Sequence, residues 1–384
     1  MFEIVEINQA SGTVIKVVGV GGAGGNAVDH MIRNGVGGVE FYAANTDAQA
    51  LTRGLAKNQL QLGSTGLGAG AKPEAGRAAA LEQREAIREM LQGAHMCFIT
   101  AGMGGGTGTG AAPVVAEIAR EMGILTVAVV TKPFAFEGRR LRIAETGVTE
   151  LTEHVDSLIV ILNEKLMEVL GEDVSMKEAF RAADDVLHNA VAGISEIINC
   201  PGLVNVDFED VRTVMAEMGM AMMGSAYAAG IDRARVAAEQ AVASPLLEGV
   251  NLSGARGVVV NITASEGLKM REVHEVMRTI QTFAAEDAHI IFGAVYDESM
   301  GDNLRVTVVA TGLGNREVAR HAKPQLVVQR TGTDNAPVGV GVDYGALDAA
   351  PAVFRKNRHS TIEALAASGV DKYDIPAFLR KQAD

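Results

Sequence analysis

Residues 100–110 have the sequence TAGMGGGTGTG, in which six glycines and two threonines fall between Gly102 and Gly110. The apolar residues 96–99 predict a strand before it, and the alanines that follow predict a helix. Glycine loses more conformational entropy on folding than any other residue, so a purely structural loop has little need of so many. Backbone N–H groups and hydroxyls of such a loop can surround phosphate oxygens. We therefore predict a phosphate-binding loop with contacts from Gly104, Gly105, Gly106, Thr107, Gly108 and Thr109.

A second glycine cluster begins at Gly19, directly after another apolar run. Gly19, Gly21 and Gly24 match the pattern G-x-G-x-x-G, which places a phosphate at a helix N-terminus. The candidate contacts are Gly21, Gly22, Ala23, Gly24, Gly25 and Asn26. Alone, the pattern also fits a structural turn or a nicotinamide-dependent oxidoreductase, with Asp47 as the acidic residue after the second strand. The oxidoreductase leaves residues 102–110 without a role, whereas two such loops predict one extended polyphosphate site.

The composition argues against several classes of protein. The 384 residues carry 34 Lys and Arg against 47 Asp and Glu, a net charge of −13, whereas broad nucleic-acid binding needs a basic surface. No apolar run reaches the roughly 18 residues of a membrane span, and the first ten residues do not resemble a signal peptide. Two cysteines, and eight histidines without zinc-ligand spacing, argue against a disulfide framework and a His or Cys metal centre. We expect a cytoplasmic protein that neither binds nucleic acid nor inserts into a membrane.

Short apolar runs alternate with amphipathic segments along the first half of the chain. This alternation predicts an α/β domain at residues 12–174, with a Rossmann-like parallel sheet covered by helices on both faces. The predicted strands are residues 14–18, 39–44, 96–100, 125–130 and 158–162, and the predicted helices are residues 26–33, 75–92, 111–121 and 142–154.

A long central helix is predicted at residues 175–201. Ser175 and Glu178 form the Ser-x-x-Glu pattern of a capping box at its start, and a Pro-Gly pair ends it. A smaller α+β domain is predicted at residues 202–316, and its methionine-rich stretch is interpreted as core or interface packing. Its predicted helices are residues 208–218, 233–243 and 269–285, and its predicted strands are residues 257–263, 290–295 and 305–311.

Both ends of the chain lack a regular pattern. Residues 1–11 are predicted to be flexible, and residues 317–369 mix proline, glycine and polar residues, which predicts a disordered linker. Residues 370–384 contain the apolar run Ile-Pro-Ala-Phe-Leu, a candidate peptide that becomes ordered when a partner binds it. The alternative is a segment packed on its own globule.

Four motifs share their order and spacing with one known family. They are Gly-Gly-Gly-Thr-Gly-Thr-Gly at residues 104–110, Asn-Thr-Asp at 45–47, Phe-Glu-Gly at 136–138 and Asn-Val-Asp-Phe-Glu-Asp at 205–210. Over about residues 12–316 the chain resembles the tubulin/FtsZ family of GTPases, and among them the bacterial cell-division members, whose partner-binding peptide is similar to the C-terminal run. The resemblance implies a tubulin-like fold and hydrolysis of GTP to GDP. The second loop does not end in the Gly-Lys-Ser/Thr of a Walker loop, so backbone dipoles and a metal ion would meet the phosphate charge. The triphosphate chemistry implies that this ion is Mg²⁺.

The resemblance assigns nucleotide contacts outside the two loops. Phe180 and Asp184 are four residues apart on the predicted central helix, so they share a face. An aromatic ring can stack on a base, and a carboxylate can accept from the N1–H and the N2 amine of guanine. Local sequence alone favours a core phenylalanine and a solvated aspartate, and only the resemblance makes them base contacts. The other implied contacts are Asn45, Glu137 at the ribose, and Arg140, with Arg142 as the alternative to Arg140.

Asp207 and Asp210, with Asn205 beside them, are the implied catalytic residues. Local sequence equally predicts that the two aspartates cap a helix. In the family this segment reaches the γ-phosphate of a neighbouring subunit, where carboxylates can orient the attacking water. The resemblance therefore implies a head-to-tail homopolymer, a mid-cell division ring beneath the inner membrane, in which hydrolysis requires assembly. It also implies that membrane-tethering and regulatory division proteins bind residues 373–381. A scaffold that polymerises without hydrolysis is the remaining alternative.

Overall fold

The computed structural model describes residues 12–171, 173–199, 206–216, 219–244, 255–285 and 288–313. These residues belong to the first of the two units into which the chain divides after Arg320. The predicted flexible N-terminus, the predicted linker and C-terminal peptide, and the candidate Asn205 lie outside the described residues.

Ten strands form one sheet in the described part of the chain. Their order across the sheet is β3-β2-β1-β4-β5-β6-β7-β10-β8-β9. Neighbouring strands from β3 to β6 all pair in parallel, which confirms the predicted parallel sheet. In chain order the strands are β1 (Ile15–Val20), β2 (Val39–Asn45), β3 (Asn58–Gln61), β4 (Met96–Gly102), β5 (Leu125–Lys132), β6 (Ser157–Leu162), β7 (Gly219–Ala229), β8 (Gly257–Ala264), β9 (His289–Tyr296) and β10 (Asn303–Leu313).

Helices cover both faces of the parallel strands. Val17 and Phe98 point to the face covered by α1 and α8, whereas Val18 and Ile99 point to the face covered by α5. Both faces are apolar because successive side chains of a strand alternate between them, which explains the continuous apolar runs of β1 and β4. The described helices are α1 (Gly21–Arg33), α2 (Ala48–Arg53), α3 (Pro73–Glu82), α4 (Arg84–Leu91), α5 (Thr107–Glu121), α6 (Arg139–Thr152), α7 (Asn163–Leu170), α8 (Met176–Asn199), α9 (Phe208–Met215), α10 (Arg233–Val242) and α11 (Met270–Phe283).

The second half of the chain continues the same sheet. β7 pairs in parallel with β6 from Ser157 beside Gly219 to Ile159 beside Ala221, and it pairs antiparallel with β10. α10 and α11 pack on one face over a core rich in alanine and valine. The predicted mixture of helices and strands in this half is confirmed.

Two predicted helices differ from the structure. The helix predicted at residues 75–92 is broken at Gln83 into α3 and α4. α3 packs closely on the start of α5, since a Cβ on Gly76 would lie 2.4 Å from the carbonyl oxygen of Gly106. The helix predicted at residues 208–218 ends at Met215, and Met220, Met222 and Met223 belong to β7. Glycine, alanine and methionine have weak strand propensity, so the pattern does not predict β7; it also misses the short α2, β3 and α7.

The central helix α8 joins the two ends of the parallel strands, called here the carboxyl edge and the amino edge. Its predicted capping box is confirmed: Oγ of Ser175 accepts from the N–H of Glu178 at 3.3 Å, and the Glu178 carboxylate accepts from the N–H of Ser175 at 3.0 Å. At 1.5 Å per residue the 24 residues of α8 span about 36 Å. At its far end Nδ2 of Asn199 donates to the carbonyl of Gly38, directly before β2, at 2.7 Å. α8 therefore begins at the carboxyl edge and ends at the amino edge.

Candidate nucleotide site

Both glycine loops lie at the carboxyl edge, after β1 and after β4. These strands are neighbours, with Val20 beside Ala101. In the sheet, β2 lies on one side of this pair and β5 on the other. The chain therefore turns away in opposite directions after β1 and after β4, which leaves a crevice between the ends of these two strands. Ligands of α/β proteins bind in such a crevice. The two loops therefore meet at one place, as their sequences predict.

Some of the glycines are required by close packing between the loops. A Cβ on Gly24 would lie 2.3 Å from the carbonyl oxygen of Thr100, and a Cβ on Gly102 would lie 2.5 Å from the Cβ of Ala23. Gly21 has a φ of +76°, and its Cβ would lie 2.9 Å from the backbone nitrogen of Gly108. These glycines hold the two loops together, so their first role is structural.

Other glycines face open space. A Cβ on Gly22, Gly25 or Gly105 would meet no atom within 4 Å. The helices that follow the loops, α1 and α5, begin without a side-chain cap, so their first backbone N–H groups have no side-chain acceptor. Uncapped helix N-termini attract anions. This open part of the two loops is the surface that can receive phosphates.

The two threonines of the second loop have different surroundings. The hydroxyl of Thr107 hydrogen-bonds the hydroxyl of Thr46 at 2.6 Å. Thr109 is only 2% exposed, and its hydroxyl accepts from the backbone N–H of Gly104 at 2.9 Å. Thr109 therefore braces the loop from inside, and a direct phosphate contact by Thr109 stays a prediction.

Asn45 lines a small cavity together with Gly22 and Gly25 of the first loop. The other candidate contacts outside the loops line one cavity beside the crevice. Its walls include Asn26, Glu137, Arg140, Phe180 and Asp184. The alternative Arg142 is not among the lining residues, so the geometry favours Arg140. Sequence positions more than 150 residues apart thus come together at one cavity.

Glu137 and Arg140 are held as a pair at the cavity wall. One carboxylate oxygen of Glu137 accepts from Nη1 of Arg140, and the other accepts from the backbone N–H of Phe134 at 3.1 Å. The Phe134 ring in turn meets the exposed ring of Phe180 edge to face, with centroids 5.8 Å apart. The ribose and base candidates are therefore connected through Phe134.

Asp184 is the most perturbed carboxyl of the cavity. Its pKa is raised to about 6, chiefly by burial and in part by the charge of the neighbouring Asp185, against the opposing effects of His30 and Arg33. The Asp185 carboxylate hydrogen-bonds Nε2 of His30 at 2.7 Å, which ties α8 to α1 behind the cavity. A partly desolvated carboxylate gains more from two N–H donors than a solvated one does, which suits recognition of guanine.

Asn163 is a cavity residue that the sequence analysis does not find. It is 5% exposed, and its Oδ1 has no hydrogen-bond partner among the described residues. A buried polar atom without a partner is costly, so it marks a place where a ligand can bind. The available signal is its position: Asn163 follows directly after β6, at the same edge as both glycine loops.

Asn45 and Asp47 follow β2 at the same edge. Asn45 is buried, and its Oδ1 accepts from the backbone N–H of Asp47 at 3.3 Å. The Asp47 carboxylate caps α2 by accepting from the N–H groups of Gln49 and Ala50. Asp47 is therefore engaged in a helix cap, which removes the support that it lent to the oxidoreductase alternative.

Asp207 and Asp210 lie at the amino edge, away from both loops. The Asp207 carboxylate caps α9 by accepting from the backbone N–H of Asp210 at 2.8 Å, so the capping alternative is correct for Asp207. The Phe208 ring meets the ring of His95, directly before β4, with centroids 6.1 Å apart. At the other end of α9, the carbonyl of Met215 accepts from Oγ of Ser157, the first residue of β6. Among the described residues, no side chain pairs with the Asp210 carboxylate.

Two family models match the chain. Residues 14–171 match the GTPase domain of the tubulin/FtsZ family, and residues 219–314 match the C-terminal domain of the FtsZ family. The chain is 56% identical over 400 residues to the cell division protein FtsZ of Pseudomonas aeruginosa, with 100% of both chains covered. It is 52% identical over 394 residues to that of Neisseria meningitidis, with 100% of this chain and 98% of the relative covered.

The chain belongs to the tubulin/FtsZ family. Residues 14–171 are thus a GTPase domain, which sets the oxidoreductase alternative aside. Among solved structures, an empty FtsZ dimer of M. jannaschii is 43% identical with a TM-score of 0.76, covering 80% of this chain and 90% of that one. A CetZ2 protofilament of Haloferax volcanii is 20% identical with a TM-score of 0.66, covering 79% and 95%, and shows the shared fold. None of the described helices of this family member is long and apolar enough to cross a membrane.

Proposed function

We propose that this chain is a GTPase of cell division that assembles head to tail, and that each active site forms between two subunits. One observation carries the proposal: the phosphate loops and the Asp207–Asp210 segment lie at opposite edges of one sheet. β4 alone, from Met96 to Gly102, separates them by roughly 20 Å at about 3.3 Å per residue. Asp210 therefore cannot reach a phosphate on the loops of its own subunit, but a second subunit stacked on the carboxyl edge can present its own Asp210 there.

In this proposal the nucleotide spans the crevice and the adjoining cavity. The open backbone at Gly22, Gly25 and Gly105 receives the phosphates, because no other atoms fill that space. The exposed ring of Phe180 stacks on the base, and the Asp184 carboxylate accepts from N1–H and N2 of guanine. The Asn163 amide, buried and unsatisfied at Oδ1, is a further base contact.

Asp210 is the proposed catalytic carboxylate, and Asp207 is the residue that positions it. The Asp207 carboxylate is engaged in the first turn of α9, whereas the Asp210 carboxylate is exposed. A free carboxylate beside a γ-phosphate can accept a proton from the attacking water or orient it. Asn205, outside the described residues, precedes this turn and is proposed to add a hydrogen bond.

The Mg²⁺ that the chemistry implies would enter with the nucleotide. Among the described residues, no three His, Cys, Asp or Glu side chains are grouped so that they could hold a metal ion. Mg²⁺ commonly takes most of its ligands from phosphate oxygens and water. The hydroxyl of Thr107 in the second loop, and that of Thr46 after β2, which it hydrogen-bonds, are the protein oxygens proposed for such an ion.

Contacts between opposite edges are heterologous and do not close on themselves, so they generate an open filament. Hydrolysis at each contact removes the γ-phosphate from the interface and weakens it. We place this filament in the cytoplasm at the division site. Membrane-tethering and regulatory proteins would reach it through residues 373–381, which lie outside the described residues.

The proposal is tested by measuring phosphate release from GTP with Mg²⁺ over a series of protein concentrations. A shared site predicts that activity per subunit is near zero below a threshold concentration and rises above it, where light scattering also detects filaments. Activity per subunit that is independent of concentration would mean that each subunit carries a complete site. Filaments without phosphate release would instead favour the scaffold alternative.

Asp184 is expected to make GTP binding depend on pH. Because the free carboxyl has a pKa of about 6 and guanine requires the ionised form, affinity measured on monomers should fall about tenfold between pH 7 and pH 5. Asp184→Asn keeps one acceptor oxygen and should remove this part of the pH dependence, while the titration of the phosphates remains.

Asp184→Ala should weaken GTP binding at pH 7 by about 10–100-fold, as expected for the loss of hydrogen bonds to a charged group.

The same carboxyl should lower the stability of the nucleotide-free protein. Its pKa of about 6 in the folded protein lies above the unfolded value of 3.8, so folding favours the protonated form. The protein is therefore most stable, as far as this group is concerned, below pH 4, and it loses that stability as the pH rises through 6 and the buried carboxyl ionises. At pH 7 Asp184→Asn should therefore raise Tm by about 1–2 °C, corresponding to about 1 kcal/mol after allowance for solvent screening. An unchanged or lower Tm would show that the charge is not desolvated.

Removing residues 370–384 should abolish binding to a membrane-adaptor protein and leave GTPase activity and its concentration threshold unchanged. The reason is that every candidate site residue lies before residue 211. Adaptor binding is measured by co-sedimentation with adaptor-coated vesicles. Retained binding would contradict the tail as the attachment segment.

A further inference from the structure

A groove runs along the outer side of the second glycine loop, between α3, α5 and α6. Lys72, Arg77, Thr109, Arg139 and Glu150 are among its lining residues. Thr109 belongs to the phosphate loop, so the groove and the proposed nucleotide site share a wall. The groove therefore opens on the same edge that a second subunit would cover.

Two cations stand at the mouth of this groove. Lys72 is the N-cap of α3 and Arg139 is the first residue of α6, and both side chains are exposed. Both residues lie beside the second glycine loop. A Cβ on Gly106 would lie 2.9 Å from the backbone nitrogen of Lys72. A Cβ on Gly104 would lie 2.6 Å from the carbonyl oxygen of Arg140, the residue after Arg139.

The charges of the groove leave these two cations available. Arg77 is paired with Glu150 deeper in the groove. In the described part of the chain, no carboxylate forms an ion pair with Lys72 or Arg139, and Glu74 at the groove wall offsets only one of the two charges. The N-termini of α3, α5 and α6 add positive potential at the same place. This positive site is a local exception in a chain of net charge −13.

The opposite edge carries a complementary group. Glu209 lies in the first turn of α9, between Asp207 and Asp210, and its side chain is 75% exposed. Its ion pair among the described residues is with Arg212, three residues on, at 3.5 Å. Asp207 caps the helix and Asp210 is the proposed catalytic carboxylate. Glu209 takes part in neither the cap nor the proposed hydrolysis.

We propose that Lys72 and Arg139 of one subunit receive Glu209 of the next, a second copy of this chain, and so set the register in which Asp210 meets the phosphates. The inference rests on the proposed function and deepens it. Two chains of charge −13 repel each other, so a local pair of opposite charges favours end-on approach over other encounters. The contact positions the catalytic carboxylate and does not itself touch the nucleotide.

The test is a charge reversal with rescue, made in the full-length chain. Glu209→Lys and Lys72→Glu should each raise the threshold concentration for filament formation about tenfold or more at low salt. The double variant carries both reversals, so each contact regains an opposite pair and the threshold should return most of the way to the wild-type value. Arg278→Glu, the same change of charge on α11, is the matched control and should leave the threshold unchanged.

GTP affinity measured below the threshold separates the proposed contact from its competitors. It should stay unchanged in all four variants, because the groove serves the neighbouring subunit. A weaker affinity in Lys72→Glu would assign the cation to the nucleotide and overturn the inference. A double variant no better than the worse single variant would also overturn it. If either result is found while the wild type still shows a concentration threshold, only the proposed contact is overturned and the proposed function is unaffected. If the wild type shows no threshold, the proposed function itself is overturned.

Discussion

Asp210→Ala is expected to abolish GTP turnover while GTP binding and filament formation persist. The exposed Asp210 carboxylate has no side-chain partner among the described residues, and a carboxylate that handles the proton of attacking water contributes about 10²–10⁴-fold to a rate. The cap of α9 survives the change, because Asp207 accepts from the backbone N–H of residue 210 rather than from its side chain. Phosphate release, sedimentation of filaments and nucleotide affinity are measured on the same preparation.

Asp207→Asn is the matched comparison. Asparagine caps helices about as well as aspartate, so α9 should keep its start and turnover should fall less than in Asp210→Ala. The opposite order would exchange the roles of the two residues. Unchanged turnover in Asp210→Ala above the threshold concentration would remove it from the mechanism altogether.

Gly110→Ala is expected to destabilise the fold, whereas Gly105→Ala is expected to weaken nucleotide binding by a protein that stays stable. A Cβ on Gly110 would lie 1.9 Å from the carbonyl oxygen of Pro73 and 2.7 Å from the backbone nitrogen of Arg77. Both are backbone atoms, so α3 must move away from α5. Overpacking of this kind costs about 3 kcal/mol or more, which lowers Tm by about 4–5 °C or more in a chain of this size.

Gly105 offers the opposite case in the same loop. A Cβ on Gly105 would meet no atom within 4 Å, and the φ of Gly105 is not positive. The free energy of unfolding should therefore change by less than about 0.5 kcal/mol. The added methyl occupies the space proposed for phosphate, so GTP affinity should fall about 100-fold, or about 2.7 kcal/mol. Isothermal titration and thermal unfolding are measured on both variants. Normal GTP binding by Gly105→Ala would mean that the phosphates lie elsewhere.

Much of the fold could be predicted because its signals are local. The apolar runs of β1 and β4, the capping box at Ser175 and the glycine loops each lie within a few consecutive residues. Their physical meaning needs no knowledge of the rest of the chain. β7 was missed because its glycines, alanines and methionines carry little propensity, and it is a strand because β6 and β10 pair with it on either side.

The candidate site divides in the same way. Contiguous residues suffice to predict two phosphate loops, and the four-residue spacing of Phe180 and Asp184 suffices to place them on one helix face. Neither reveals that Gly24 packs against Thr100 while Gly105 faces open space, since that depends on how one loop lies over the other strand. Asn163 enters the cavity only because β6 lies next to β5 in the sheet.

The placement of Asp207 and Asp210 is the clearest case of information that no local pattern holds. Asp-Phe-Glu-Asp starts a helix in any setting, and the sequence predicts that cap as readily as a catalytic role. The order of the strands and the 24-residue span of α8 carry this turn to the amino edge, at the far side of the molecule from the phosphate loops. Residue patterns thus indicate the chemistry available to each candidate segment, because hydrogen bonding and charge belong to individual side chains. The separation of these segments, on which the proposed shared site depends, follows from long-range pairing of strands and packing of helices.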